Sequence, residues 1–365
     1  MQNMAQPFSF SFSGDDIEAD SNDAQNDLEP GTSAVPEHAS ISGPPLVEAQ
    51  THDIEELLST LPSKISYSHL DIESPKGYKT RLPRRELFDI RMQLMTEDDG
   101  ADIAPVAGLD NSDIKTNVYE GGFKSWECSI DLVKFLLDRG PRKDLDDLCR
   151  VDHVIELGCG TALPTLLLFH YAITQSIPLY LTLADYNASV LRLVTLPNLL
   201  LTFASTLPAT TSPFSTDQPN PLLTEQNGDL NITPELVASF RQVLVSLPIT
   251  LTLISGSWTP TSKLLPLIAT APEMNTFVIA SETIYSPSSL SAFTEAMIGI
   301  LSRVRSGKAV VAAKRVYFGV GGSVDTFRIE CSNRGAVAYE IEFDGLGGEG
   351  NGGGVRRCLV EVQML

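Results

Sequence analysis

The sequence predicts an α/β fold in which a mostly parallel sheet carries an antiparallel pair of strands at its C-terminal edge. Three observations support this prediction. Apolar runs of strand length alternate with helical runs between residues 151 and 313, which is typical of a parallel sheet covered by helices on both faces. A glycine-containing turn, Gly158-Cys159-Gly160, follows the first run. The last two runs are joined by the glycine-rich segment 345–354.

The individual elements follow from the spacing of apolar residues. Ile130, Val133 and Leu137 recur at helical spacing, so a helix should precede the sheet. Pro197 must end or kink any helix that contains it. Helices are predicted at Thr161–Ile173, Asn187–Ala204 and Ser288–Val304. Seven strands are predicted, at Val151–Leu157, Leu179–Ala184, Thr250–Ile254, Thr276–Ala280, Ala309–Ala313, Val337–Phe343 and Arg357–Val362.

Charge and composition divide the chain into a tail and a globular part. The 365 residues carry 46 acidic and 26 basic side chains, a net charge of −20, and the first 63 residues contain no Lys or Arg. A tract this acidic cannot bury enough apolar surface to offset the entropy of ordering it. We expect a disordered acidic tail at residues 1–61 and a folded domain at 62–365, with insertions near 205–234 and 345–354. Within the tail, Phe8-Ser-Phe10-Ser-Phe12 is either a sticky leader or a short docking motif.

The same composition excludes several classes of protein. Contacts with phosphates need clustered Lys and Arg, so nucleic-acid binding is not expected, whereas the net charge favours a basic partner. No apolar run is long enough to span a membrane, and the N-terminus lacks the features of a signal peptide. The five cysteines form no CxxC pair and the five histidines are scattered, so we predict no metal and a reduced, intracellular, soluble protein.

The segment from Glu156 to Gly160 gives the strongest indication of a ligand. Glycines at the carboxyl end of a buried strand let a ligand approach the backbone, and the N–H groups of the following helix point toward it. A dinucleotide-binding motif would place a third glycine at the position of Leu163 and would lack Glu156. The charge of Glu156 suits a cationic ligand. The pattern is nearest to the first motif of S-adenosylmethionine-dependent methyltransferases.

Asp185 ends the second predicted strand, 27 positions after Gly158. An acid at this point can accept hydrogen bonds from both ribose hydroxyls of an adenosine group. The alternative is that Asp185 caps the next helix, a role that Asn187 could equally fill. Because Glu156 and the glycines precede it, we favour ribose binding.

The third and fourth strands lead into Gly256-Ser257-Trp258 and Ser281–Tyr285, on the edge where open α/β sheets bind ligands. The other tryptophan of the chain, Trp126, precedes the first helix. Tryptophans usually belong to the core. Both of these lie beside predicted ligand loops, which favours a contact with adenine or with the methyl donor.

Seven segments resemble, in this order, motifs of the histidine protein methyltransferases, a seven-stranded, Rossmann-like family that uses S-adenosylmethionine. They are Tyr119–Ser129, Leu157–Gly160, Asp185–Asn187, Thr195–Asn198, Gly256–Trp258, Ser281–Tyr285 and Tyr317–Gly322. The resemblance covers roughly residues 62–365 without the two insertions. Together with the glycine motif, it implies a Rossmann-like, seven-stranded methyltransferase sheet and cofactor contacts at Trp126, Glu127, Cys128, Ser129, Glu156, Gly158, Cys159, Gly160, Asp185, Tyr186, Asn187, Gly256, Ser257, Trp258 and Ser281.

The family modifies a histidine on the third protein of the large ribosomal subunit, and this chain is expected to act on the same basic protein as a monomer in the cytoplasm and the nucleus. A histidine with a pKa of about 6.5 is mostly neutral at pH 7 and needs little activation. Glu282 and Tyr285 are the candidates for holding the imidazole in line with the methyl group, although both could instead be structural. The expected substrate wall, or else a tight turn, is formed by Tyr317, Phe318, Gly319, Gly321 and Gly322.

Three alternatives stay open on the sequence alone. A protein-lysine methyltransferase of the same fold would also carry an acid three residues before a tyrosine, as Glu282 and Tyr285 are placed. The segment from Tyr317 to Gly322 argues against it. A non-catalytic ribosome-assembly module could bind the cofactor without turnover. An NAD-dependent oxidoreductase is the least favoured, because Glu156 is present and the third glycine is missing.

Overall fold

The computed structural model describes residues 46–97, 121–139, 151–346 and 355–365. Its strands are β1 (Gln50–His52), β2 (Lys64–Glu73), β3 (Lys79–Arg85), β4 (His153–Leu157), β5 (Leu179–Asp185), β6 (Asn227–Asn231), β7 (Ile249–Ser255), β8 (Thr276–Ser281), β9 (Gly307–Lys314), β10 (Ala336–Ile341) and β11 (Arg357–Met364). Its α-helices are α1 (Ile54–Ser59), α2 (Leu87–Glu97), α3 (Glu127–Arg139), α4 (Leu163–Gln175), α5 (Ala188–Val190), α6 (Leu196–Ser205), α7 (Pro234–Ser246), α8 (Thr261–Leu264), α9 (Pro287–Leu301) and α10 (Val324–Asn333).

The described residues form one eight-stranded sheet in the order β1-β7-β5-β4-β8-β9-β11-β10. The five central strands, β7 to β9 in this order, are parallel. At one edge β11 pairs antiparallel with β9 and with β10. All seven predicted strands are present, so the α/β class, the mostly parallel sheet and its antiparallel C-terminal pair are confirmed. Residues 347–354, the greater part of the predicted glycine-rich tip, lie outside the described residues.

The eighth strand comes from the stretch predicted to be a tail. Gln50 of β1 pairs antiparallel with Ser255 of β7. In α1, which follows, Leu57 and Leu58 are buried, and Asp53 caps the helix by accepting a hydrogen bond from the backbone N–H of Glu56 at 3.0 Å. Regular structure therefore begins before the predicted boundary at residue 61, because the buried Leu57 and Leu58 anchor this acidic segment to the domain. Residues 1–45, with the Phe8–Phe12 leader, lie outside the described part of the chain.

The predicted insertion at 205–234 also contains regular structure. Residues 227–231 form β6, which pairs antiparallel with β2 and completes a second sheet in the order β3-β2-β6. The buried Asn220 side chain donates hydrogen bonds to the carbonyls of Ala204 and Leu207 at 2.8 and 3.1 Å, which satisfies the end of α6. The sequence did not predict this strand, because it depends on a distant partner and has no apolar periodicity of its own.

The predicted helix at Asn187–Ala204 is continuous through Pro197. A π-helical turn at Leu191–Thr195 joins α5 to α6. Pro197 is the second residue of α6, which follows this turn directly, so the hydrogen-bond pattern changes where the proline lacks an N–H. The prediction that no apolar run is long enough to cross a membrane is wrong for Ala188–Ser205, which is long and apolar enough by length and composition, but 78% of this segment is buried inside the protein. It is a core helix of the domain.

The core lies on both faces of the large sheet. Along β8, Phe277 and Ile279 contribute to one layer, whereas Val278 and Ala280 contribute to the other. This alternation follows from the two-residue period of a strand. The first layer packs against α3, α4 and α6, and the second against α9 and α10. The two layers hold the parallel strands in register, so their carboxyl ends meet at one edge.

Candidate active site

The carboxyl ends of β4, β5, β8 and β9 surround a cavity, which we call the central cavity. Of the residues predicted to bind cofactor or substrate, the ones that line it are Trp126, Ser129, Gly158, Cys159, Gly160, Asp185, Tyr186, Trp258, Ser281, Glu282, Tyr285 and Tyr317. Residues from six separated segments of the sequence are thus brought to one place.

The glycine turn after β4 is shaped by its backbone. The N–H groups of Gly158 and Cys159 donate to the carbonyl of Ala184, at 2.8 and 3.0 Å, and tie this turn to the neighbouring strand β5. Gly158 has a φ of +71°, and a Cβ there would stand 2.8 Å from the methyl group of Thr283. Only glycine suits this position, because both the backbone conformation and the space require it.

Asp185 is held at the end of β5 with its carboxylate directed at the turn. One carboxylate oxygen accepts the N–H of Gly160 at 3.0 Å, and the other accepts the N–H of Asn187 at 3.1 Å. Asn187 stands at the N-cap of α5, with no side-chain capping bond, and it does not line the central cavity. The carboxylate of Asp185 therefore lies on the cavity wall, where the sequence predicted a contact with ribose.

Glu156 does not lie where its predicted contact with a cationic ligand requires. Its side chain is buried beneath the turn, and one oxygen accepts hydrogen bonds from the backbone N–H and the hydroxyl of Thr165 in α4. Burial raises the pKa of this carboxyl to about 8. Glu156 is absent from the lining of the central cavity. Its position is that of an internal brace between β4 and α4, because the side chain at this register points away from the open edge.

The segment that begins α3 closes another side of the cavity. The indole N–H of Trp126 donates to the carbonyl of Gly121 at 2.8 Å, and Ser129 donates to the carbonyl of Trp126 at 2.7 Å. Both residues line the cavity, but Glu127 and Cys128 do not. The Cys128 thiol is buried and faces Glu282. Burial, and after it the charge of Glu282, raises the pKa of the thiol well above its usual range.

A second cavity of about 780 Å³ adjoins the first and shares Tyr186, Trp258 and Tyr285 with it. Gly256 and Ser257 line this second cavity and are absent from the lining of the first. Gly256 has a φ of +115°, and a Cβ there would meet the backbone of Ala49 at 2.7 Å. The loop that follows β7 is thus packed against the segment that leads into β1.

Glu282, the first residue after β8, has the left-handed backbone conformation with a φ of +57°. This conformation is uncommon and strained for a residue with a side chain, and such strain concentrates at functional sites. The backbone N–H of Glu282 donates to the carbonyl of Ala312 in β9 at 2.9 Å. The carboxylate oxygen Oε1 is buried without a hydrogen-bond partner, and the side chain lines the central cavity.

The segment Tyr317–Gly322 forms a tight turn, and only Tyr317 among the five predicted residues lines the central cavity. The N–H of Tyr317 donates to the carbonyl of Gly322 at 2.9 Å, and Phe318 is exposed. A Cβ on Gly322 would stand 2.0 Å from the carbonyl of Ile284. The wall expected from Phe318, Gly319, Gly321 and Gly322 is therefore not the wall of this cavity. Gly322 instead lets the turn pack against the loop that carries Tyr285.

The central cavity also contains residues that the sequence analysis did not select. Gly121, Gly122 and Lys124 lie within Tyr119–Ser129, and Thr283 lies within Ser281–Tyr285, two segments that resemble the family, whereas Thr161 and Lys314 had no signal of their own. Lys314 is the last residue of an ordinary apolar strand. The six are Gly121, Gly122, Lys124, Thr161, Thr283 and Lys314.

The chain has close relatives among known methyltransferases. It is 35% identical to histidine protein methyltransferase 1 of Saccharomyces cerevisiae over 344 residues, which span 88% of this chain and 89% of that protein. It is also 35% identical to histidine protein methyltransferase 1 of Schizosaccharomyces pombe, over 78% of this chain and 77% of that protein. The chain belongs to the histidine protein methyltransferase family. As a histidine protein methyltransferase, it is an S-adenosylmethionine-dependent enzyme.

No family model matches the chain. A solved precorrin-6y C5,15-methyltransferase from Geobacter metallireducens aligns with 70% of this chain and 92% of its own, at 10% identity and a TM-score of 0.30. A similarity this low bears on neither substrate nor site.

The residues of the central cavity fit the cofactor of a histidine protein methyltransferase. Trp258 Nε1, Thr283 Oγ1 and Glu282 Oε1 are buried polar atoms without hydrogen-bond partners, and all three belong to residues that line the cavity. Buried polar groups are normally hydrogen-bonded, so a bound molecule with polar groups could satisfy these three atoms. The Asp185 carboxylate can accept from hydroxyl or ammonium groups, and the glycine turn leaves room for a ligand against the backbone. Among the described residues, no group of three or more His, Cys, Asp or Glu side chains could hold a metal ion.

Proposed function

We propose that this histidine protein methyltransferase modifies a histidine of a basic ribosomal protein, the third protein of the large subunit. The net charge of −20 supports a basic substrate, since complementary charge speeds encounter and disfavours acidic competitors. The resemblance of the seven sequence segments supports this particular protein. We further propose that the enzyme acts as a monomer and meets its substrate in the cytoplasm and the nucleus.

The observation that carries the proposed site is the Glu282 carboxylate. It is buried on the wall of the central cavity and one of its oxygens lacks a hydrogen-bond partner. A neutral imidazole has one N–H and one nitrogen with a free lone pair. If Glu282 accepts the N–H, the other nitrogen is the one presented for methylation. The same carboxylate stabilises the positive charge that develops on the ring as the new N–C bond forms.

The bound cofactor supplies an activated methyl group to this reaction. The protein's part is mainly to hold the two reactants in line, because an imidazole with a pKa of about 6.5 needs no strong base at pH 7. Such positioning can contribute about 7–11 kcal/mol. We assign Asp185 and the glycine turn to the nucleoside end of the cofactor. We assign Trp126, Tyr285 and Tyr317, which line the cavity near Glu282, to exclusion of water around the imidazole.

The test is methylation of purified large-subunit ribosomal proteins with a radiolabelled methyl donor, followed by amino-acid analysis of the labelled protein. We expect methylhistidine in the third large-subunit protein. Methyl-lysine, or label in another protein, would contradict the proposed substrate.

The role of Glu282 is tested by Glu282→Gln, whose amide offers a weaker acceptor of the same shape. We expect it to lower kcat about 100-fold, with cofactor affinity within about threefold of the wild type. Lys64→Met is the matched control, because Lys64 is an exposed β2 residue that forms an ion pair with Asp229 and does not line the central cavity. An unchanged kcat for Glu282→Gln would show that Glu282 takes no part in the reaction.

A further inference from the structure

Lys314 ends strand β9 beside the point where Glu282 leaves β8. The two strands are parallel neighbours, and Ser281 is in register with Ala312. The hydrogen bond from the N–H of Glu282 to the carbonyl of Ala312 extends this pairing by one residue. Lys314 stands two residues further along β9 and lines the central cavity. The fold therefore fixes a cation beside the left-handed residue Glu282.

The Lys314 ammonium lies between two carboxylates and an aromatic ring. Its Nζ atom is 3.8 Å from Glu282 Oε1, 3.8 Å from Glu127 Oε2 and 5.3 Å from the centre of the Trp126 ring. The Glu282 side chain is 9% exposed, whereas that of Glu127 is 59% exposed. Screening by water weakens the contact with Glu127, so the buried Glu282 is the more strongly affected partner. Both separations exceed hydrogen-bond length, so neither carboxylate oxygen is saturated by the ammonium.

The other groups beside Glu282 do not balance its charge. The Cys128 thiol and the Tyr317 hydroxyl both face it, and burial followed by the charge of Glu282 raises the pKa of each well above its usual range. Both groups are therefore neutral at pH 7. The nearby Arg357 guanidinium is paired with Asp131 through a bond of 2.5 Å. Of the described side chains, Lys314 is the cation in contact with the Glu282 carboxylate.

We propose that Lys314 is a positioning residue for methyl transfer, which keeps the Glu282 carboxylate turned toward the cavity so that it can accept the imidazole N–H. The proposal rests on the role of Glu282 proposed above. The ammonium attracts the buried carboxylate, so loss of this cation would leave the carboxylate free to turn away from the imidazole. At 3.8 Å the ammonium orients the carboxylate while Oε1 stays available to the substrate.

The first measurement separates kcat from cofactor binding in three variants, with large-subunit ribosomal proteins as substrate. Lys314→Met is expected to lower kcat about tenfold or more. Its KM and calorimetric Kd for S-adenosylmethionine should stay within about twofold of the wild type. Lys314→Arg, which keeps the charge, should recover most of the kcat. Lys64→Met, the exposed control, should match the wild type. If Lys314→Met lowers the Tm by more than a few degrees, Lys314→Gln replaces it.

A double-mutant cycle tests whether Lys314 acts through Glu282. The double variant Glu282→Gln with Lys314→Met should have the kcat of Glu282→Gln alone, within about twofold, because the lysine has no carboxylate left to hold. If the loss of kcat in the double variant equals the product of the losses in the two single variants, Lys314 acts independently of Glu282 and the proposal is overturned. A raised Kd for S-adenosylmethionine with unchanged kcat would also overturn it, since Lys314 would then bind the cofactor's own carboxylate.

These outcomes differ from a failure of the proposed function. A wild-type enzyme that labels no histidine contradicts the substrate and the role of Lys314 together. A wild-type enzyme that labels histidine, with Lys314→Met equally active, contradicts the role of Lys314 alone.

Discussion

The buried carboxyl of Glu156 allows a prediction that separates an internal brace from a ligand contact. In Glu156→Gln the amide oxygen can still accept the hydrogen bonds from the backbone N–H and hydroxyl of Thr165. The substitution therefore removes the ionisable group and keeps the brace. If Glu156 served a cationic ligand through its charge, the same change would weaken cofactor binding.

The size of the effect on stability follows from the pKa of Glu156. Burial raises this pKa from its ordinary value of 4.5 to about 8 in the folded protein. A carboxyl shifted in this direction contributes most below pH 4.5, and its contribution is lost as the pH rises toward 8. Each pH unit in that interval corresponds to about 1.4 kcal/mol. Between pH 5 and pH 8 the wild type should therefore lose about 3 kcal/mol of unfolding free energy relative to Glu156→Gln.

The assay is urea unfolding of both proteins at pH 5, 6, 7 and 8, without cofactor. Taking the difference between the two proteins cancels the titration of every other group. Calorimetry at pH 7 then compares their affinities for S-adenosylmethionine, which we expect to agree within about threefold. A stability difference that does not grow with pH would refute the raised pKa of Glu156. A loss of affinity greater than tenfold would show that Glu156 contacts the ligand, as the sequence predicted.

Three other substitutions test the site and its surroundings. Asp185→Ala removes the carboxylate from the cavity wall and should weaken S-adenosylmethionine binding about 10- to 100-fold in calorimetry, since a charged hydrogen bond contributes about 1.5–3 kcal/mol; unchanged affinity would show that Asp185 does not bind the ribose. Gly322→Ala places a Cβ 2.0 Å from the carbonyl of Ile284 and should lower the unfolding free energy by about 1–3 kcal/mol, measured in urea; an equally stable variant would contradict this packing. His153 is fully buried against Thr182, and burial lowers its pKa to about 4. The contribution of His153 to stability is therefore present above pH 6.5 and is lost as the pH falls toward 4. Between pH 7 and pH 4 the unfolding free energy of His153→Asn should fall by about 3 kcal/mol less than that of the wild type. An equal fall in the two proteins would contradict the lowered pKa.

Glu156 and Asp185 show how far sequence reasoning reaches at this site. Both are acids next to the end of a predicted strand, and both were assigned to the ligand. Asp185 ends its strand and faces the cavity, whereas Glu156 lies one residue before the end of β4 and faces α4. The two-residue alternation of a strand decides which side chain reaches the edge. That register depends on where pairing stops, which composition alone does not reveal.

The seven strands, their mostly parallel arrangement and the glycine turn could be predicted because each depends on local patterns of apolar residues and glycines. The segments that resemble the family also pointed to histidine methylation, and the family relationship is confirmed. β1, β6 and Lys314 could not be predicted, because each depends on a distant partner. β1 and β6 are strands only because β7 and β2 offer unpaired edges. Lys314 is part of the cavity only because β9 lies beside β8, so its contact with Glu282 arises from the folding of the sheet.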